Sequence, residues 1–298
     1  MKQNERTYVI SGATSGIGLA VAKTLVEKDC NIIGVGRSPE RCEIAKNTLR
    51  EMNPSVKTEY CLADLSEQKQ VCGVARQIQQ QLLKEWNIPY LDGLVNNAAV
   101  VPFRQAFTVD GFDMQWAVNY LSGFLLSNLL LGLMSQAPFA RIVSVSSASH
   151  YHTRMHWNDL QMTRFYNPLT AYKRSKLAQV LFIAELNRRL NNKPNIKAFA
   201  ADPGLVRTDI GLKGKSDLMS WIWKVRRQSG ISPGIAARGI VYLLTEPSIQ
   251  NATQIYWKHG QPQDPHPCAL DEEAGKRLWE LSEKMCGIIK ESDCVRKK

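Results

Sequence analysis

The chain has 298 residues, 44% of them hydrophobic, which suits one large domain or two small ones and excludes a disordered or fibrous chain. Its net charge of +11 would attract an acidic partner, but no basic–aromatic recognition motif accompanies it, so no nucleic-acid partner is expected. Seven cysteines (30, 42, 61, 72, 268, 286 and 294) show neither Cys-x-x-Cys pairing nor zinc-ligand spacing, which fits a reducing cytosol and no disulfide framework.

In chain order, residues 1–6 are polar and lead straight into a strand-like run, leaving no room for a signal peptide; a cytoplasmic location is expected. Short β-branched runs follow at 8–10, 31–35, 56–62, 91–96, 141–145, 196–200 and 254–256, with helical patterns between nearly all of them. Strands alternating with helices predict an α/β fold, a parallel sheet covered on both faces. No repeat or Ser/Gly linker divides the chain, so residues 1–298 read as one domain. Residues 114–140 carry no charge and are long enough to cross a bilayer. Gln115, Asn119, Ser122, Ser127, Asn128 and Gln136 recur through them, each costly in lipid without a partner. A helix buried in the core or at a subunit interface, with no transmembrane span, is therefore expected. Residues 205–233 and the Pro-rich 261–267, followed by a helix from about Asp271, lie outside the alternation.

The first strand runs into Ser11-Gly12-Ala13-Thr14-Ser15-Gly16-Ile17-Gly18, and a helix follows at once. Glycines there let the backbone turn tightly and approach a pyrophosphate, which rests on the positive helix N-terminus. The second strand ends in Gly36-Arg37-Ser38, with Arg41 a turn later and no acid to read a 2′-hydroxyl. Guanidinium groups suit a 2′-phosphate, so NADP(H) is favoured over NAD(H). Asp64-Leu65 follow the third strand, Asn96-Asn97-Ala98-Ala99 the fourth, and Ser146-Ser147 the fifth; Asn119 lies in the uncharged helix. Tyr172 and Lys176 are four apart and share one helical face. A lysine ammonium beside a phenol favours the phenolate, making a group that normally titrates near pH ~10 usable for acid/base work closer to neutrality.

The ordered set Gly-x3-Gly-x-Gly, Asn-Asn-Ala, Asn, Ser and Tyr-x3-Lys resembles the short-chain dehydrogenase/reductase family over roughly residues 5–260. That resemblance implies a Rossmann-type doubly wound core at 5–260, a C-terminal substrate lid at 205–233 and a C-terminal extension at 261–298. It implies a catalytic set of Asn119, Ser147, Tyr172 and Lys176. Tyr172 would exchange the proton at the carbonyl or alcohol oxygen, Ser147 would hydrogen-bond that oxygen, and Lys176 would also hold the nicotinamide ribose. Asn119 would anchor a water linking Lys176 to solvent. The implied cofactor contacts are Gly12, Thr14, Ser15, Gly16, Ile17, Gly18, Arg37, Ser38, Arg41, Asp64, Leu65, Asn96, Ala98, Tyr172 and Lys176, with Pro203, Gly204, Val206 and Thr208 near the nicotinamide. Many relatives form dimers through the uncharged helix and the one starting near Tyr172, implying a homodimer or homotetramer.

Within the family, His150, Trp157-Asn158-Asp159-Leu160-Gln161 and Ser175-Lys176-Leu177-Ala178 resemble the retinol dehydrogenase branch. Light-dependent protochlorophyllide reductases share Asn97-Ala98-Ala99 and Ala171-Tyr172-Lys173, but they place a cysteine where this chain has Ala178. His150, His152 and His156 lack a nearby acid or cysteine and read as loop and pocket-edge residues, with His150 close enough to brush a substrate; no metal site is expected. Leu218, Trp221, Ile222 and Val225 share one helical face beside Lys224, Arg226 and Arg227. An apolar lid with a basic rim suggests a lipophilic substrate or peripheral contact with a membrane surface. The expected function is carbonyl–alcohol interconversion on a lipophilic (retinoid-, steroid- or polyketide-like) molecule. The alternatives are a catalytically silent NADP(H)-binding regulator and a reductase of a carbon–carbon double bond.

Overall fold

The computed structural model describes residues 6–207 and 230–288. Eight strands form one sheet: β1 (Thr7–Ser11), β2 (Asn31–Gly36), β3 (Thr58–Leu62), β4 (Gly93–Asn96), β5 (Ala140–Val145), β6 (Ile196–Asp202), β7 (Tyr256–Lys258) and β8 (Gln261–Gln263). Their order is β3-β2-β1-β4-β5-β6-β7-β8, parallel throughout except for the β7–β8 pair. The first six strands are bought from the sequence by the period-two alternation of large apolar side chains, which feeds both faces. Val9, Ile33, Leu94 and Ile142 point to one core, and Tyr8, Ile10, Ile32 and Val143 to the other.

Helices α1 (Gly16–Val26), α2 (Pro39–Met52) and α6 (Pro233–Thr245) cover one face. The other is covered by α3 (Gln68–Gln80), α4 (Met114–Met134), α5 (Pro168–Arg189) and α7 (Glu272–Met285). Strand order reverses between β1 and β4, which opens a crevice at the carboxyl ends of these strands, the place where doubly wound sheets bind ligands.

The uncharged stretch forms α4, whose most apolar window has a mean hydropathy of 1.5 and is 72% buried inside the protein. It is long and apolar enough to cross a membrane, and here it packs as core. Phe124 meets Phe182 of α5 and Trp279 of α7, with ring centroids 5.5 and 5.0 Å apart. Its middle, Ala117–Leu121, is a π-helical turn.

The sequence patterning missed β8. Lys258 and Gln261 are joined by His259-Gly260, both at positive φ (52° and 78°), the mirror-image turn that suits a two-residue hairpin. Histidine is an uncommon residue at such a position, so the sequence carried no clear hairpin signal. Pro262 sits on this last, edge strand, where a missing N–H is tolerated. The expected boundary between core and extension at 261 thus falls inside a hairpin, and α7 buries Leu278 and Trp279 in the same core as α4 and α5. The six described cysteines outside 289–298 are all free.

Candidate active site

The glycine-rich turn leaves β1 with Gly12 at φ +67° and enters α1 through Gly16 at φ +55°, conformations open to glycine at little cost. Gly18 is needed for closeness: a Cβ there would stand 2.3 Å from the Gly12 carbonyl oxygen and 2.6 Å from Asn97 Nδ2. Ser15 caps α1 without a side-chain hydrogen bond, and its side chain is exposed. The first-turn N–H groups therefore face the crevice with the helix dipole behind them, which suits a pyrophosphate. Thr14 packs its methyl against Gly36 at the end of β2, and Ile17 against the core below.

The turn is locked to β4 by a device the motif reading underrated. Ser11 Oγ accepts from the N–H groups of Asn97 (2.9 Å) and Ala98 (3.1 Å), while Asn97 Nδ2 donates to the carbonyls of Ser11 (2.9 Å) and Gly12 (3.2 Å). Asn97 was visible in the Asn-Asn-Ala motif but not singled out. Asn96, expected to touch cofactor, turns its buried side chain to Ser127 Oγ of α4 at 2.9 Å, which leaves only its backbone toward the crevice. Period-two alternation sets this direction: neighbours along a strand face opposite sides. The Ala98 N–H is likewise taken by Ser11.

At the end of β2, Arg37 is exposed and meets Asp64 Oδ2 at 3.5 Å. Burial alone would raise the Asp64 pKa, but hydrogen bonds from Ser66 and the charge of Arg37 hold it below the usual carboxylate range. Ser38 caps α2, accepting from the Arg41 N–H at 3.4 Å, and Arg41 is exposed beside it. Leu65 packs against the core next to Asp64.

The other half of the site gathers α4, the end of β5 and the first turns of α5. Asn167 caps α5, accepting from Leu169 and Thr170, with Pro168 at its first position. Tyr172 is partly exposed, whereas Lys176, one turn on, is 2% exposed. Lys176 Nζ donates to the Val145 carbonyl at 2.8 Å and to Gln179 Oε1 at 3.2 Å, and lies 5.4 Å from the centre of the Tyr172 ring. Burial pushes its ammonium down to about 7, and the Asp202 carboxylate opposes that shift. Ser146 Oγ donates to the Lys176 carbonyl at 3.0 Å, fixing β5 to α5. Ser147 is partly exposed at the start of a 3-10 turn over 148–152, with its Oγ 2.9 Å from Ser149 Oγ.

Asn119 is tied into the protein on several sides. Its side chain bridges the Val100 backbone, accepting from the N–H at 2.8 Å and donating to the carbonyl at 3.1 Å, and donates to Ser175 Oγ at 3.2 Å. Its carbonyl accepts from Gln179 Nε2 at 2.6 Å. Gln179 thereby links the Asn119 carbonyl to Lys176. The sequence signal for Gln179 was its spacing, three residues after Lys176 on the same helical face.

His150 is fully buried and cannot brush a substrate. Nε2 accepts from the His266 N–H at 3.1 Å, so Nδ1 carries the proton and donates to the Ser147 carbonyl at 2.8 Å. Burial lowers its pKa, keeping the imidazole neutral and the Ser147 turn tied to the loop after β8. No group of three or more His, Cys, Asp or Glu is arranged to hold a metal among the described residues.

After β6, Pro203 is buried and Gly204 takes φ +73°, with His259 so close that a Cβ would meet its ring at 2.3 Å. Val206 pairs with Ile231 in a parallel bridge, and Arg207 Nε donates to the Gly230 carbonyl at 2.7 Å. Thr208 and the apolar helical face at Leu218, Trp221, Ile222 and Val225 lie outside the described residues.

A scan against known families matches residues 6–218 to the family described as short chain dehydrogenase. With its parallel sheet and glycine-rich first turn, the chain belongs to that family of oxidoreductases, whose members bind a nicotinamide cofactor. Within it the chain is retinol dehydrogenase-like. It is 33% identical to human retinol dehydrogenase 14, the alignment covering 96% of this chain and 87% of that protein. It is 35% identical to mouse retinol dehydrogenase 13, covering 95% and 84%, and 30% identical to human polyprenol dehydrogenase, covering 96% and 86%. Among solved structures, an uncharacterised protein from Mycobacterium paratuberculosis superposes with a TM-score of 0.70 at 29% identity, over 95% of this chain and 93% of that one. A short chain dehydrogenase from Burkholderia cenocepacia in complex with NADP shares the fold, with a TM-score of 0.66 at 20% identity over 86% and 96%.

Proposed function

We propose that this chain is an NADP(H)-dependent oxidoreductase that interconverts a carbonyl and an alcohol on a lipophilic substrate. The carrying observation is the pairing of a buried Lys176 with a partly exposed Tyr172, 5.4 Å from ammonium to ring centre, with the Lys176 carbonyl bonded to Ser146, the chain neighbour of Ser147, at the carboxyl end of β5. The glycine-lined crevice fits a dinucleotide: two positive-φ glycines shape it, and an uncapped helix N-terminus faces the place of the pyrophosphate. Gly12, Gly16, Ser15 and Thr14 would line the phosphates, Arg37, Ser38 and Arg41 a 2′-phosphate, Asp64 and Leu65 the adenine side, and Gly204 and Val206 the nicotinamide side. A nicotinamide cofactor bound there supplies or accepts hydride.

The protein's own part is proton transfer and orientation. Tyr172 donates its phenolic proton to the developing alkoxide in reduction, or takes the alcohol proton in oxidation. Ser147 donates a hydrogen bond to the same oxygen. Lys176 stabilises the phenolate and reaches the ribose, and Asn119 braces the helix behind it. The retinol and polyprenol dehydrogenase names of the relatives support an apolar alcohol or aldehyde as substrate. We read residues 5–260 as the catalytic core, residues 205–233 as its lid, and the assembly as a homodimer or homotetramer in the cytoplasm.

The test is a panel of retinoid, steroid and long-chain aldehydes and ketones assayed with NADPH and NADH by nicotinamide absorbance. Turnover of an apolar carbonyl, faster with NADPH, is expected. Cofactor binding without turnover of any substrate would favour the silent regulator, and equal use of both cofactors would remove the role given to Arg37.

A further inference from the structure

Lys176 is held by a side chain that no motif marks. Gln179 is 3% exposed, and its amide spans two helices: Oε1 accepts from Lys176 Nζ at 3.2 Å, and Nε2 donates to the Asn119 carbonyl at 2.6 Å. The amide can sit in only one sense. An ammonium has nothing to accept with and a carbonyl nothing to donate, so the oxygen must face Lys176 and the nitrogen Asn119. The π-helical turn at Ala117–Leu121 widens the helical ladder around Asn119, where its carbonyl accepts this side-chain donor.

We infer that Gln179 is a positioning residue for the reaction: its amide, anchored on the Asn119 carbonyl, holds the Lys176 ammonium between itself and the Val145 carbonyl and so aims it at Tyr172. This rests on the assignment of Lys176 to the catalytic pair. An amide carries no charge near neutrality, so the bridge orients Lys176 without neutralising it. The titratable groups that bear on Lys176 are Tyr172 on its own helix and Asp202 at the end of β6. From α4 it is approached by the neutral Asn119, and from β5 by the Val145 carbonyl and Ser146. The Asp202 carboxylate favours the charged amine, and Gln179 gives it a directed hydrogen-bond acceptor.

The experiment is an NMR titration of the full chain carrying 13C-labelled lysine, with the Lys176 signal assigned by its loss in Lys176→Met. Wild type should titrate well below the other lysines. Gln179→Leu, which removes the acceptor, should move the Lys176 midpoint down. Gln179→Glu, which adds a carboxylate, should move it up by about one unit or more. Circular dichroism checks that both variants are folded. A midpoint unmoved in both folded variants would overturn the inference, and so would loss of the fold in both. On a carbonyl from the panel with NADPH, Gln179→Leu should lower kcat by about tenfold and displace its pH profile. KM for the carbonyl should stay near wild type. Should the midpoint move as expected while Tyr172→Phe keeps full turnover, the bridge stands and the proposed chemistry fails.

Discussion

The two halves of the site are built from different materials. Around β1, β2 and α1 the crevice is made of backbone: positive-φ glycines, a bare helix N-terminus, and one exposed arginine in a 3.5 Å ion pair. Around α4, β5 and α5 it is made of buried side chains, Lys176, Gln179, Asn119 and Ser175, each bonded to the next element. The contrast fits the tasks proposed for the two halves. A long polyanion needs many N–H groups and room to enter, whereas a proton-transfer pair needs one ammonium held in a low-dielectric setting where its charge acts strongly. Changes in the second half should therefore strike chemistry, and changes in the first half binding.

The largest effect is expected at Tyr172. Tyr172→Phe keeps the ring and deletes the hydroxyl, so turnover should fall by roughly 10²–10⁴-fold. NADPH titration and unfolding midpoint should stay near wild type; wild-type turnover would place the chemistry elsewhere.

Lys176 should show itself in stability as well. Its folded pKa of about 7 lies below its ordinary value of 10.5, so between these pH values the unfolded chain binds the extra proton. Its contribution to stability therefore rises with pH across that window and is lost as pH falls toward 7. Denaturant curves from pH 7 to 10 should show a component approaching 1.4 kcal/mol per pH unit at most that is missing in Lys176→Met. Identical pH slopes in the two proteins would mean that the amine is already hydrated.

Gly18→Ala tests the backbone half. A methyl 2.3 Å from the Gly12 carbonyl must push α1 off the turn, costing about 1–3 kcal/mol and weakening NADPH binding more than it slows any bound-state step. Unchanged cofactor affinity would show that the crevice tolerates this shift. The smallest stability effect is expected at Arg37: its exposed ion pair contributes about 0–1 kcal/mol, so Arg37→Asp should fold normally. The same change should reverse the preference between NADPH and NADH by placing a second acid beside Asp64, which competitive binding would read directly.

The sequence by itself determined the first seven strands and the shared helix face of Tyr172 and Lys176, because both rest on local periodicity. Every expected strand formed within a few residues of its predicted limits, and Tyr172 and Lys176 share a helix face because 3.6 residues make a turn. The glycine turn was legible for the same reason, since its conformation and spacing lie within eight consecutive residues. Only the tertiary structure decided where side chains point when several elements compete for them. Asn96 turned to Ser127, His150 sank beneath the Ser147 turn to meet His266, and Gln179 joined Lys176 to a carbonyl 60 residues away. It also decided that 261–263 is a strand, because β8 exists only by pairing with β7 across a His-Gly turn whose positive φ angles no hydrophobic pattern records. For Asn96, His150 and Gln179 the partner is remote in sequence and the driving term is the cost of leaving a buried polar group unpaired, which is settled only when the core closes.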